Sequence, residues 1–164
     1  MKRSLFKKSI MLLIALLFVF SLVGCNTEEF KKNEQYVSDV KNLVNESVNH
    51  TRKLRELDKD FVISDKDLIN EYLETTDSLM EVFEQIQKLQ ATDEFDDKDK
   101  ELKEAVKNEL TVISQLRNLV YHAQENGDDD IYQREKDIYF EEYNKNYEKT
   151  IDLSSEIQTY WRNA

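Results

Sequence analysis

The sequence predicts an all-α protein, folded as an antiparallel up-down-up-down four-helix bundle. The chain of 164 residues contains no proline and two glycines, and β-sheets depend on turn residues of these kinds. Apolar residues instead recur every three or four positions, the spacing that places them on one face of a helix. Short polar breaks divide the pattern into four segments of similar length, which favours a four-helix bundle. The alternative is a three-helix bundle with a loose first segment.

The four segments predict helices at about residues 28–57, 65–91, 97–125 and 129–162. Each has one apolar stripe surrounded by charged and amide side chains, and the stripes are expected to face one another in the core. The stripe residues are Val37, Val40, Leu43, Val44, Val48, Thr51 and Leu54 in the first helix; Leu68, Ile69, Tyr72, Leu73, Leu79, Met80, Phe83 and Ile86 in the second; Leu102, Ala105, Val106, Leu110, Ile113, Leu116, Val120 and Ala123 in the third; and Tyr132, Tyr139, Tyr143, Tyr147, Ile151, Ser154, Ile157 and Trp161 in the fourth.

Residues between the stripes supply signals for the helix ends. Ser64 and Asp67 resemble a capping box that opens the second helix, and Asp65 is well placed for the helix dipole. Gly127 is expected to adopt the left-handed conformation that ends a helix, so it predicts the end of the third. The other candidate caps are Thr92, Asp93, Asp96 and Asp97 for the third helix, and Asp128, Asp129 and Asp130 for the fourth.

The first 24 residues differ from the rest and are predicted to be a secretory signal peptide. A basic zone, MKRSLFKK, precedes an apolar zone, IMLLIALLFVFSLV, and the small residue Gly24 follows. Because the apolar zone is shorter than the roughly 18 residues of a spanning helix, an uncleaved anchor is the weaker interpretation. The predicted domains are residues 1–24, the signal peptide, and residues 25–164, an acidic helical bundle.

The end of the apolar zone, Leu22, Val23, Gly24 and Cys25, resembles the lipobox of bacterial lipoproteins. The resemblance implies cleavage between Gly24 and Cys25 and a diacylglyceryl group on the Cys25 sulfur, with fatty acids such as palmitate. Two acyl chains attach a protein lastingly to a membrane, whereas a single chain gives only marginal binding. The mature protein is therefore expected to be lipid-anchored at the extracytoplasmic face of the cell membrane without spanning it.

The composition of residues 25–164, rich in Lys, Asn and Glu and poor in glycine, resembles that of small uncharacterised helical lipoproteins of bacilli and related Gram-positive bacteria. In such bacteria the lipid end lies in the outer leaflet of the cell membrane and the protein faces the wall. Composition by itself also allows a Gram-negative envelope. The resemblance includes no motif that assigns a function.

The predicted mature chain is strongly acidic. Cleavage removes four basic and no acidic residues, which leaves 19 basic and 34 acidic residues and a net charge of −15. Such a surface repels the phosphates of nucleic acids and anionic head groups, so neither is expected as a partner. Cys25 is the only cysteine. An internal disulfide is thus excluded, and packing alone is expected to hold the domain together.

No pattern in the sequence predicts catalysis, a cofactor or a metal site. His50 and His122 are the only histidines, and neither belongs to the Glu-x-x-His motif of ferritin-like bundles. Neither Asp58 nor Asp128 begins a loop with the glycine and glutamate that an EF-hand requires. Glycine-rich phosphate loops and Gly-x-Ser-x-Gly elbows are absent from the sequence. The sequence therefore predicts a protein that is not an enzyme.

One surface region is predicted at the end of the bundle nearest Cys25. An even number of antiparallel helices returns the end of the fourth helix to this end, and two residues separate Cys25 from the first predicted helix. Aromatic and basic side chains there are expected at the membrane interface. The competing interpretation is that Trp161 closes the end of the core. The region comprises Phe30, Lys31, Lys32, Tyr160, Trp161 and Arg162.

A second surface region is predicted on the last helix, whose apolar arc is wider than one bundle seam needs. This width has two interpretations. The helix contacts two neighbours at once, or part of the arc is a docking strip for another protein. The strip residues, which lie off the line of Tyr139, Tyr143 and Tyr147, are Ile131, Ile138 and Phe140.

Two functions remain open from the sequence. The first is a membrane-tethered helical module that binds an envelope protein at the cell surface without catalysing a reaction. The second is a lipoprotein that holds a small apolar or cationic ligand between its helices. A cavity lined by Tyr143, Tyr147 and Thr76 would favour the ligand, whereas a filled core would favour the interaction module.

Overall fold

A computed structural model describes the backbone of residues 2–163 and the side chains of residues 28–163. The predicted positions of cleavage and lipidation, Gly24 and Cys25, lie outside the residues whose side chains are described. The helices are α1 (Lys2–Lys59), α2 (Lys66–Lys88), α3 (Asp96–Asn126) and α4 (Asp129–Asn163), with a short 3₁₀ turn, Asp93–Phe95, before α3. Residues 2–163 contain no strand, and the prediction of an all-α protein is confirmed.

The four helices form a ring in which each packs against its neighbours in the chain, and α4 returns to α1. Helices α1 and α4 are antiparallel, because Phe30 contacts Trp161 near the end of α4 while Asp58 contacts Tyr132 near its start. The up-down-up-down four-helix bundle is therefore confirmed. The three-helix alternative is wrong, since α1 supplies buried side chains from Asn33 to Leu54.

Two helix ends differ from the predicted bounds by more than two residues. Helix α1 begins at Lys2 rather than at about residue 28, since residues 2–27 contain no proline to stop it. Helix α2 ends at Lys88 because Leu89 leaves the helical region, with φ −58° and ψ 145°. Its predicted end was residue 91. The chain then crosses to α3 through the 3₁₀ turn.

The caps of α2 and α3 also differ from the prediction. Asp65, rather than Ser64, caps α2, and its carboxylate accepts hydrogen bonds from the backbone N–H groups of Asp67 (3.1 Å) and Leu68 (3.0 Å). No side chain caps α3. Thr92 precedes the 3₁₀ turn without capping it, because its hydroxyl instead donates to Asn33 of α1. The predicted N-caps of α3 are therefore wrong.

Gly127 ends α3 as predicted. Its φ of 62° and ψ of 32° are left-handed, and its N–H donates to the carbonyl of Gln124 at 3.2 Å. The N–H of Asp128 reaches back to Ala123 at 3.1 Å, which completes the hydrogen-bond pattern of a Schellman motif. The Asp128 carboxylate then accepts from the N–H of Asp130 at 2.9 Å, so one short turn ends α3 and begins α4.

The core runs the length of the bundle and contains most of the predicted stripe residues. Ile151 is an exception, because 38% of its surface is exposed. Within residues 28–163, no helix has the length and hydropathy that a membrane span requires. Several buried residues lie outside the predicted stripes, and these are Asn33, Tyr36, Ser47, Phe61, Ile63, Thr75, Thr76, Val82, Phe95, Asp99, Glu109, Val112, Leu119, Thr150 and Leu153.

Candidate functional site

Five aromatic side chains converge at the end of the bundle that contains Phe30 of α1 and Trp161 of α4. We call this cluster the aromatic end: Phe30, Tyr36, Phe95, Tyr160 and Trp161. Phe95 lies at its centre, with ring centroids 5.4 Å from Tyr36, 5.6 Å from Tyr160 and 6.4 Å from Trp161. Phe30 packs on Trp161 at 4.7 Å. The cluster joins helices α1 and α4 to the turn that precedes α3.

The aromatic end runs from the core to the surface. Tyr36 and Phe95 are buried, whereas Tyr160 is 46% and Phe30 is 56% exposed, and Trp161 is half-buried against the core. Trp161 therefore helps to close the core and also contacts an exposed ring. The two interpretations of Trp161 are compatible, since its side chain packs against the core while its neighbour Phe30 is exposed.

Polar contacts fix the turn that carries Phe95. The Asn33 side chain donates to Glu94 and accepts from Thr92, so α1 holds both sides of the turn. One helical turn further along α1, the Tyr36 hydroxyl donates to Asp99 at 2.9 Å. Burial, and then the Asp99 charge, raise the pKa of Tyr36 above its ordinary value, so its hydroxyl remains a donor.

The basic residues predicted for this end, Lys31, Lys32 and Arg162, are exposed. They share the end with acidic side chains, because Glu28 and Glu29 begin the described part of α1 and Asp93 lies in the 3₁₀ turn. The end is therefore aromatic and of mixed charge. It is not a basic patch.

The three residues of the predicted strip on α4 differ in exposure. Ile131 and Phe140 are half-buried and pack against the core, while Ile138 is 66% exposed. Ile131 and Ile138 are seven residues apart and so share one helix face. The wide arc thus includes core contact, and it also leaves one large apolar side chain in water.

A polar layer crosses the middle of the bundle, between α1, α3 and α4. Thr51 and Tyr143 share a hydrogen bond of 2.6 Å between their hydroxyls, and the Tyr143 and Tyr147 rings stack at 5.4 Å. Thr150 donates to the Glu109 carboxyl group. All the members of the polar layer are buried: Ser47, Thr51, Glu109, Tyr143, Tyr147 and Thr150.

Glu109 is not among the residues predicted from the sequence, yet its position carries a signal. Glu109 follows Val106 by three residues and precedes Ile113 by four, so it lies on the predicted stripe of α3. Asp99 precedes Leu102 by three residues in the same way. Attention to spacing, irrespective of polarity, would have identified both carboxyl groups as buried.

The opposite end of the bundle is closed by a second aromatic and ionic cluster. Asp58 accepts a hydrogen bond from the Tyr132 hydroxyl at 2.7 Å and pairs with Lys136 at 3.0 Å. The Tyr132 ring packs on Phe61 at 4.1 Å, and its hydroxyl oxygen also accepts a hydrogen bond from the Tyr72 hydroxyl at 3.0 Å. These contacts tie α1, α2 and α4 together.

Two grooves lie on the surface beside α1, between residues 28 and 43. The larger, of about 670 Å³, runs between α1 and the segment that follows α2, where Tyr36 and Leu89 are among its lining residues. The smaller, of about 380 Å³, adjoins Leu43 and Leu89. Neither groove is lined by Tyr143, Tyr147 or Thr76.

The histidines lie apart from each other and from the polar layer. The ring of half-buried His50 lies 3.9 Å from the Glu46 carboxylate, and His122 is exposed. Among residues 28–163, no group of three or more His, Cys, Asp or Glu side chains is arranged to hold a metal ion.

No protein-family model, curated protein or solved structure matches this chain.

Proposed function

We propose that this protein is a bacterial lipoprotein without catalytic activity. It is anchored by acyl chains on Cys25 at the extracytoplasmic face of the cell membrane, and it binds an envelope protein through the surface of its helical bundle. The observation that carries the proposal is the aromatic end, with Phe30 and Tyr160 exposed beside Trp161.

The aromatic end lies within reach of a bilayer that holds Cys25. Phe30 is five residues from Cys25, and five residues span at most about 18 Å even when fully extended. Tyrosine and tryptophan favour the layer of lipid head groups, since their rings are apolar and their polar atoms remain hydrated. A lipid anchor would hold this end, rather than a side of the bundle, against the membrane.

Electrostatics would oppose this docking rather than drive it. Glu28, Glu29 and Asp93 lie at the same end as Lys31 and Lys32, and the mature chain is acidic overall. Repulsion from anionic head groups is largely screened beyond about 8 Å at physiological ionic strength. The acyl chains and the aromatic contact therefore supply the attachment in this proposal, and anionic lipid is not required.

The partner surface is assigned to the α4 face that contains Ile131 and Ile138. Ile138 is 66% exposed, and apolar anchors surrounded by polar residues are typical of interfaces. Because the chain is acidic, the expected partner offers an apolar pocket with a basic rim. Such an arrangement leaves the aromatic end to the membrane and the side of α4 to the partner.

The test uses Trp161, which is the only tryptophan in the chain. The acylated protein is reconstituted into vesicles that contain lipids with bromine at known depths in the acyl chains. We expect a blue shift of Trp161 emission and quenching by the shallowest bromines, because the indole lies near the interface. Mass spectrometry of the same sample reports whether Cys25 is acylated.

A variant that carries Trp161→Phe together with Tyr121→Trp is the control. Tyr121 is 38% exposed on α3, five residues before its last residue, Asn126, at the end of the bundle away from Cys25. The emission of the tryptophan introduced at position 121 should not be quenched by the bromines. An unmodified Cys25 would refute the anchor, whereas an acylated protein without Trp161 quenching would refute only the docking of the aromatic end.

A further inference from the structure

Glu109 is a carboxylic acid in the middle of an apolar core. Its side chain is 0% exposed and lies on α3 between the layers of Val106 and Ile113, which are also buried. Thr150 of α4 donates a hydrogen bond to Oε1. The second oxygen, Oε2, is buried and has no hydrogen-bond partner among the described residues.

The other carboxyl groups in sheltered positions have cationic partners. Asp99 pairs with Lys103 at 2.7 Å and accepts from the Tyr36 hydroxyl. Asp58 pairs with Lys136 at 3.0 Å. Within residues 28–163, no Lys, Arg or His forms an ion pair with Glu109. Since a buried charge without a counter-ion is far more costly than a neutral acid, the environment of Glu109 favours its protonated form.

The groups that face Glu109 do not supply the missing charge. From α4 these are Tyr143, Tyr147 and Thr150, and burial raises the pKa of both tyrosines, so they stay neutral. On α1, Arg55 acts on the pKa of the two tyrosines and donates to Asn144 on α4, but it is not among the groups that shift the pKa of Glu109.

Neither α2 nor α3 adds a titratable side chain that acts on Glu109, among the described residues. The Tyr147 hydroxyl is also buried without a hydrogen bond of good geometry, although Ser47 and Thr51 lie beside it. The polar layer therefore contains two buried polar atoms without a hydrogen-bond partner among the described residues, Glu109 Oε2 and the Tyr147 hydroxyl oxygen. The first belongs to α3 and the second to α4.

We infer that Glu109 is a proton-binding site that locks the α3–α4 contact, closed when the carboxyl group holds a proton and loosened when the proton leaves. This inference goes beyond the proposed function and stands whether or not Cys25 is acylated. A charged carboxylate in this layer has no counter-ion among the described residues, so it favours entry of water between α3 and α4.

Burial raises the pKa of Glu109 from 4.5 to about 8, and the Thr150 hydrogen bond offsets only part of this effect. Below the unfolded pKa both states are protonated, so stability does not change with pH there and the contribution of the neutral acid is fully present. Between the two values the unfolded chain ionises first, and stability falls as the pH rises. Above about 8 the folded protein is ionised too, and the loss reaches its full extent.

Infrared spectroscopy of the full chain tests the site directly. The stretching band of a protonated carboxyl group is separate from that of a carboxylate, so difference spectra between the wild type and Glu109→Gln isolate the band of Glu109. We expect the band to persist at neutral pH and to disappear with a midpoint of about 8. A midpoint within one unit of 4.5 would overturn the inference.

Thermal unfolding of the same two proteins tests the lock. Glu109→Gln keeps an acceptor for Thr150 but cannot ionise, so its Tm advantage over the wild type should grow as the pH rises from about 5 to about 9. The matched control is Glu104→Gln, an exposed position on the same helix, and its difference from the wild type should not change with pH.

A Tm difference for Glu109→Gln that is independent of pH would refute the lock. If Glu109→Gln does not fold, the infrared titration is repeated with the wild type labelled with ¹³C at glutamate carboxyl groups. A protonated band that survives at neutral pH in that sample supports the site, and its absence overturns it.

Discussion

Among the large apolar side chains of residues 28–163, Ile138 has the largest exposed fraction, 66%. Replacing Ile138 with Asp should change the free energy of unfolding by no more than about 0.5 kcal/mol, because most of the side chain is already exposed. Urea denaturation measures this value. Ile157 lies on the same helix and is fully buried, so Ile157→Ala should cost about 2 to 5 kcal/mol.

The Ile138→Asp variant also tests the proposed partner surface. In crosslinked cells the lipidated wild type should capture an envelope protein that Ile138→Asp fails to capture, although both proteins reach the membrane in equal amounts. A loss of several kcal/mol in the unfolding experiment would instead mean that Ile138 belongs to the core. Equal capture by both proteins would contradict the assignment of the α4 face.

At the scale of residues, periodicity predicted apolar burial better than it predicted polar burial. Tyr72, Phe83 and Ile113 lie where their stripes place them, because helical spacing and hydrophobicity point to the same face. Glu109 shares that spacing, but its polarity indicates the surface. Its position depends on the contact with Thr150, 41 residues away, and the sequence of α3 alone does not contain that contact.

At the scale of elements, the turn from α3 to α4 depends on one backbone conformation. Gly127 has a φ of 62°, and a Cβ added there would meet no atom within 4 Å. The cost of Gly127→Ala is therefore a backbone cost of about 1 to 2 kcal/mol, with no steric contribution from neighbours. Chemical denaturation should show this loss of stability.

Gly127→Asn is the matched control, because asparagine adopts the left-handed conformation more readily than alanine does. Its stability should lie between those of the wild type and Gly127→Ala. Equal stability of the alanine variant and the wild type would show that the turn tolerates another conformation.

Helix ends were predictable where the signal is local. Gly127 and Asp128 act on residues within five positions, and their roles were predicted correctly. Threonine is a residue type typical of N-caps, yet the Thr92 hydroxyl donates a hydrogen bond to the side chain of Asn33, which is 59 residues earlier in the chain. Competition between a local cap and a tertiary contact explains why the start of α3 was predicted wrongly.

At the scale of the whole molecule, the net negative charge opposes the folded state. The predicted mature chain carries 19 basic and 34 acidic residues, and their mutual repulsion acts against the compact state. We expect the Tm to rise when ionic strength increases from low to physiological, because salt screens repulsion over about 8 to 10 Å. Calorimetry at several salt concentrations measures this effect.

The control for this prediction is the pH. Near the isoelectric point the net repulsion is small, so the same change in salt should leave the Tm almost constant. A Tm that falls with added salt at neutral pH would indicate that attractive pairs, such as Lys53 with Glu71 and Arg117 with Asp77, outweigh the repulsion.

The overall architecture was accessible from the sequence because four stripes of similar length, joined by short polar breaks, leave few arrangements. What the sequence did not provide is how the stripes meet. Phe95 was outside every predicted helix, yet it lies at the centre of the aromatic end, because the turn that carries it is held by Asn33. Such placement depends on three elements together.

The return of α4 to the starting end of α1 has a practical consequence for studying this protein in cells. Under the proposed lipid anchor, a fluorescent reporter fused after α4 would emerge beside the membrane surface, next to Tyr160 and Trp161. A reporter inserted between Gly127 and Asp128 would lie at the opposite end of the bundle, away from the proposed anchor. The tight turn that ends α3 is therefore the preferred place for a tag, provided that the linkers restore its geometry.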